Sequence, residues 1–245
     1  MKMSAALILI VVACVASLSE RALAKGRRVP GGGQRAVVVD ERLAALRDAP
    51  DLSAVLLQRI SRGRMLAITG ARRGRGGLLF YRVAVTSRTS GWMQSEAVVS
   101  PARAGDDERL LRLIRASEDF DLIERARIFL DLFPRSNLRP AVLLLFGEAA
   151  EEAAAKLSRD ALRRLDEKEM KGGGAPAYTY FMNYNGLDRY RRQGIAFVFD
   201  ERAKQFHYNG ESWREIARRY PRSLEVAEAR KHLDTLGSIS QVKAP

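Results

Sequence analysis

The hydrophobic pattern changes period once, between Ser100 and Gly105, and that change limits the fold more than any other feature of the chain. Upstream, apolar residues come in short runs or alternate: Val37-Val38-Val39, Val55-Leu56-Leu57, Met65 to Ile68, Leu78 to Val85 and Trp92 to Val99. Short, valine-rich segments of this kind are strands. Turn signals part them at Asp48-Ala49-Pro50-Asp51, Arg62-Gly63, Gly70 to Gly77 and Ser90-Gly91. Downstream the spacing is helical: Leu110, Leu111, Leu113 and Ile114, then Leu122, Ile123, Ala126, Phe129, Leu130 and Phe133. Pro101 and Gly105 mark the join. The pattern predicts a multidomain α and β chain, with a small β unit over 35–100, a linker over 101–105, a helical unit over 106–237 and a tail over 238–245.

Charge divides at the same place. Residues 25–104 hold 15 Lys and Arg against 5 Asp and Glu, whereas 105–245 hold 25 against 23. The whole chain of 245 residues carries +13, so its basicity belongs to the β half. With 47% hydrophobic and 29% charged residues, the composition supports a packed core and excludes a disordered chain.

The N-terminus reads as an address. Lys2 precedes an apolar run from Ala5 to Leu18, and Ala22-Leu23-Ala24 is a small-x-small site before Lys25. That is the pattern of a signal peptide over 1–24, followed by a flexible basic leader over 25–34. The run is shorter than the 20 or so residues of a membrane span, although a retained anchor stays open. Val11-Val12-Ala13-Cys14 resembles the lipobox of bacterial lipoproteins, so lipidation at Cys14 is the alternative to cleavage after Ala24. Either reading puts the protein outside the cytoplasm, periplasmic or attached to the envelope. Cleavage after Ala24 removes the one cysteine and leaves packing to stabilise the fold.

Five short strands in about 65 residues suit a small closed barrel, which removes exposed sheet edges. The residues also resemble the bacterial SH3-like domain. Leu46-Arg47-Asp48-Ala49-Pro50 stands where that family has a Val-Arg strand entering a Gly-Pro turn. Arg62-Gly63 with Met65 to Ile68, Phe80-Tyr81-Arg82-Val83 and Gly91-Trp92 match its later turn, central aromatic strand and closing Gly-Trp. The resemblance implies an envelope module that binds peptide or peptidoglycan, or that positions other domains. Tyr81, Arg82 and Trp92, beside Phe80, are the candidate contacts if it binds.

In the helical half, Phe133-Pro134-Arg135-Ser136 recurs 87 residues later as Tyr220-Pro221-Arg222-Ser223. Each copy follows an amphipathic helix and precedes an alanine-containing one, Ala141 to Ala155 and Val226 to Leu233. The aromatic closes the inter-helix core, proline stops the helix and serine starts the next. This resembles tetratricopeptide-type helical hairpins, which stack to bury their cores. A long helix is expected over Ala141 to Glu169, ended by Gly172-Gly173-Gly174. Residues 178–208 hold 9 of the 18 aromatic residues. Phe197-Val198-Phe199-Asp200 and Phe206-His207-Tyr208 alternate as a short β-hairpin insertion would, although a helix over Ile195 to Phe206 fits almost as well. These rings read as core filling more than as a ligand face.

No catalytic constellation is legible. Cys14 lies in the leader, and His207 and His232 show no metal-ligand spacing, so neither a cysteine peptidase nor a zinc amidase is indicated. His232 reads as a solvated helix residue. Glu148, Glu151 and Glu152 read as an exposed helix face, with Glu152 and Lys156 paired one turn apart. Gly70 to Gly77 lacks the Gly-Lys-Ser/Thr ending of a phosphate loop. Arg72, Arg73 and Arg75 crowd that segment and suit an anionic partner, because guanidinium groups fork onto carboxylate and phosphate, with a merely arginine-rich composition as the alternative. The expected function is a non-enzymatic exported adaptor, with no cofactor and no catalytic or metal-binding residue. Its barrel takes a peptidoglycan peptide or an anionic lipid or wall polymer, and its helices take an envelope protein. Nucleic acid is not expected as a partner. An accessory or degenerate wall hydrolase and a basic module that recruits polyanions are the alternatives.

Overall fold

A computed structural model describes residues 32–241, with the side chains of Glu167 and of 238–241 left aside. The expected signal peptide, Cys14 and most of the basic leader lie outside the described residues. The chain is mixed: an antiparallel sheet comes first and helices follow.

The sheet has seven strands: β1 (Gln34–Val38), β2 (Ala45–Arg47), β3 (Leu56–Arg59), β4 (Met65–Arg73), β5 (Leu79–Ala84), β6 (Ser90–Gln94) and β7 (Val98–Val99). Their order is β3-β2-β6-β5-β4-β1-β7. Leu46 of β2, second from one end of this order, and Val98 of β7, at the other end, share one core with Ala36, Leu66, Val83 and Met93. The sheet therefore curls about its own interior.

Seven strands replace the expected five for local reasons. The Trp92 to Val99 run is broken by a 3-10 turn at Ser95–Ala97, whose Ser95 and Ala97 are buried. Ala45–Arg47 is a short strand paired on both sides, which its three residues are too few to announce. β4 runs through the expected turn at Gly70, where the pairing shifts register between Ile68 and Gly70. A glycine accommodates such a bulge readily. Arg72 and Arg73 consequently sit on a strand, and only Arg75 lies in the connecting turn.

The helices are α1 (Asp106–Arg115), α2 (Asp119–Leu132), α3 (Arg139–Arg164), α4 (Glu167–Gly172), α5 (Ala177–Met182), α6 (Asp188–Arg191), α7 (Glu211–Arg219) and α8 (Val226–Gln241). The helix expected over 141–169 is two helices. α3 stops at Leu165, and Asp166 caps α4 by accepting the Lys168 amide hydrogen at 2.7 Å. Asp166 thus satisfies a donor that a continuous helix would have paired internally. α8 continues into the segment read as a tail. Between α6 and α7, β8 (Phe197–Asp200) and β9 (Gln205–Tyr208) form the two-stranded hairpin. Its inward residues Phe197, Phe199, Phe206 and Tyr208 join the helical core, while Val198 faces out.

β1 joins the two halves. Ala36 and Val38 point into the sheet core, and Val37 and Val39 into the helical core with Val99. Polar ties follow the same seam. The Arg125 guanidinium donates to the Val39 carbonyl at 3.2 Å, and the Arg62 guanidinium grips Asp121 at 2.8 Å and Glu124 at 3.0 Å. Ser100 donates its amide hydrogen to the buried Asp106 carboxylate at 2.8 Å, which closes the join between the halves.

Candidate functional site

The outer face of the sheet carries the candidate site. Residues opposite one another on antiparallel strands share a face. Leu56 of β3 faces Arg47 of β2, Arg47 faces Trp92 of β6, and Trp92 faces Arg82 of β5. One row across four strands therefore reads leucine, arginine, tryptophan, arginine. Alternation puts Leu46, Tyr81 and Met93 on the other face, in the core.

Trp92 is half-buried, and Arg82 is exposed. The Arg47 guanidinium donates to the Ala54 carbonyl at 2.7 Å, which ties the 48–54 loop to the face. That loop is held from within: Asp51 accepts from the Ser53 amide at 2.9 Å and hydroxyl at 2.8 Å. These bonds, the backbone one foremost, hold its carboxyl below the usual carboxylate range. Leu56 of the row and, beyond it, Leu52, Val55 and Leu57 are all exposed, and Val55 keeps 65% of its surface. Four exposed aliphatic side chains within six residues form a patch of the sort that marks interaction surfaces.

The structure separates the sequence candidates. Trp92 and Arg82 stand together on the outer face. Phe80 lies on that same face but is covered, because the backbone of Gly74 and Pro50 closes over its ring. Tyr81 is buried in the core, with the Arg103 guanidinium 5.1 Å from its ring centre, and burial pushes its phenol up. Arg72 is exposed on β4 opposite Phe80, two positions along the strand from the site of the Trp92 row. Arg73 donates to the Gly77 carbonyl at 2.9 Å, and Arg75 lies 3.6 Å from Asp51. Arg72 thus stands on this face near its covered end, Arg75 lies in the adjoining turn, and alternation sends Arg73 to the opposite face. Arg47 and the aliphatic patch are additions. The unalternated Val55-Leu56-Leu57 run is a signal of the patch, since a strand with one buried face alternates.

The histidines and carboxylates have structural partners. Glu151, read as part of an exposed face, reaches the hairpin: one oxygen lies 2.9 Å from His207 Nδ1 and the other accepts the Tyr208 amide hydrogen at 2.7 Å. That bond to Glu151 raises the His207 pKa above its ordinary value. His232 is not simply solvated. Its ring stacks on Trp213 at 4.4 Å, and its Nε2 is sealed from solvent 3.7 Å from Glu148 and Glu228. Among the described residues, no group of three or more His, Cys, Asp or Glu is placed to hold a metal ion, and no helix is long and apolar enough to cross a membrane.

An indole between two guanidinium groups, bordered by exposed aliphatics, can pack an apolar side chain and pair a carboxylate on the same ligand. No family model, curated protein or solved structure matches this chain.

Proposed function

We propose that this protein is an exported, non-enzymatic envelope adaptor, whose SH3-like sheet binds a carboxylate-bearing peptide of peptidoglycan type and whose tetratricopeptide-like helices engage a protein partner. The observation that carries the reading is the cross-strand row Arg47, Trp92, Arg82 beside exposed Leu56. An aromatic left half-exposed between two cations, while the core of the same sheet is filled without it, is available for recognition.

The strand order supports the SH3-like part. β1 pairs with both β4 and the last strand, β4 to β6 form a meander, and a 3-10 turn links β6 to β7. The helical part is supported by packing of α2 on α3 and of α7 on α8, each pair joined through the aromatic-Pro-Arg-Ser turn. Export rests on the signal-peptide pattern over 1–24.

The test is co-sedimentation with purified sacculi and titration with a soluble muramyl peptide, followed by tryptophan emission. Trp213 is buried, so a ligand-induced emission change reports Trp92. Arg82→Ala and Trp92→Ala are expected to cut affinity about tenfold or more, as central aromatic and arginine contacts do. Binding that survives both changes unaltered would remove the face from the reading. If the Arg72→Ala, Arg73→Ala, Arg75→Ala triple variant also binds as the parent does, those arginines have no part in it.

A further inference from the structure

The two aromatic-Pro-Arg-Ser turns, 87 residues apart in sequence, meet in space. They line one open cleft of about 470 Å³ to which Arg135 and Ser136 come from the first turn, Arg222 and Ser223 from the second, and Arg219 from the end of α7. The turns are built alike. Ser136 donates its amide hydrogen to the Phe133 carbonyl at 3.2 Å, and Ser223 to the Tyr220 carbonyl at 3.0 Å. Each serine carbonyl then accepts from the start of the next helix, from Arg139 at 3.1 Å and from Val226 at 3.4 Å. α3 and α8 thus begin at the same cleft.

Charge is lopsided there. Three arginines line the cleft and no acidic residue does. Among the described residues Arg135 and Arg222 pair with no carboxylate, and both are exposed. Arg219 has only a 3.4 Å contact to Glu215, whose same oxygen is already held by Arg139 at 3.0 Å. The turns differ at one atom. The Ser136 hydroxyl donates to Asp107 at 2.7 Å, whereas the Ser223 hydroxyl is shut from solvent and hydrogen-bonds to nothing among the described residues. The first turn has a built-in oxyanion partner and the second has none.

We infer that this cleft is an oxyanion site for a phosphate group, held by the guanidinium groups of Arg135, Arg219 and Arg222. Three cations around one opening match a tetrahedral dianion better than a carboxylate, which one or two forks satisfy. The converging starts of two helices add favourable partial charge. The site lies in the helical half and does not depend on the peptide-binding reading of the sheet.

The probes are inorganic phosphate, followed by calorimetry and by the thermal midpoint, and vesicles of phosphatidylglycerol against vesicles of phosphatidylcholine. Saturable phosphate binding that falls about tenfold or more in Arg135→Ala, Arg222→Ala is the expected result, a loss typical of removed charge-assisted hydrogen bonds. Arg218→Ala, on an exposed helix position outside the cleft, is expected to bind as the parent does. Retention on phosphatidylglycerol vesicles that needs the same two arginines would identify a lipid headgroup as the source, and phosphate binding without such retention would identify a soluble phosphate ester. The proposal is overturned if phosphate binds without saturation, or if Arg218→Ala costs as much as the double change. Far-UV circular dichroism of each variant separates lost binding from lost fold.

Discussion

The two halves of this molecule fill their interiors with different materials. The sheet core is aliphatic, built from Val38, Leu46, Ile60, Leu66, Val83, Met93 and Val98, with Tyr81 its one ring among the described residues. The helical core is a chain of rings: Phe181 stacks on Phe199 at 4.4 Å, Phe206 leans on both, and Tyr208 meets Trp213 edge-on at 5.3 Å. The contrast explains why the two tryptophans differ. Trp213 is 1% exposed and belongs to packing, whereas Trp92 was not needed inside and stands on the outer face. Where a core closes almost wholly on aliphatic side chains, a leftover aromatic is a better guide to recognition than its residue type suggests.

The contrast breaks first at Trp213. Trp213→Ala should destabilise the protein by about 3–5 kcal/mol, the usual cost of deleting a buried ring, as read by urea unfolding. A loss below about 1 kcal/mol, within the range of a surface change, would mean that the ring network does not hold the helices together. Gly74→Ala probes the other half. An added Cβ would stand 2.1 Å from the Pro50 carbonyl oxygen and 2.9 Å from the Phe80 ring. Relieving that overlap should cost about 1–3 kcal/mol and loosen the loop over Phe80, so tryptophan emission should shift alongside stability. An unchanged variant would show that the 48–54 loop is not seated on the sheet.

The smallest effect concerns pH and belongs to the helical half alone. His207 has its pKa raised above 6.5 in the folded chain, chiefly by its bond to Glu151. The pair therefore contributes fully below about pH 6.5 and its contribution fades as pH rises through the raised folded value. Its size should be under about 1 kcal/mol, since both side chains keep some solvent contact. His207→Gln should flatten the difference in unfolding free energy between pH 6 and pH 9. An equal slope in parent and variant would assign the pH dependence to another group.

Much of the architecture was legible because periodicity is a local property. The change near Ser100 separates the sheet from the helices, and Phe197 to Tyr208 folds as the alternation of its rings suggests. What stayed hidden depends on partners distant in sequence. Arg72 looked like a loop residue because Gly70 reads as a turn, yet pairing with β5 carries the strand through it. His232 looked solvated because its own helix face is polar, and only the fold brings Trp213 against it. Arg47 gave no sign of its place beside Trp92, since cross-strand neighbours carry no mark in a single sequence. The repeated aromatic-Pro-Arg-Ser turn was visible as a repeat, while its meeting in one cleft is a product of helix packing.

β1 serves two interiors at once, with alternate valines sent to opposite sides. A nascent chain ending near residue 105 would hold the strands and still leave Val37, Val39 and Val99 bare. Their burial must then wait for the helices that share their core. The sheet would reach its finished form only after its helical neighbour has been made, so cutting the polypeptide at the join should yield two unstable fragments.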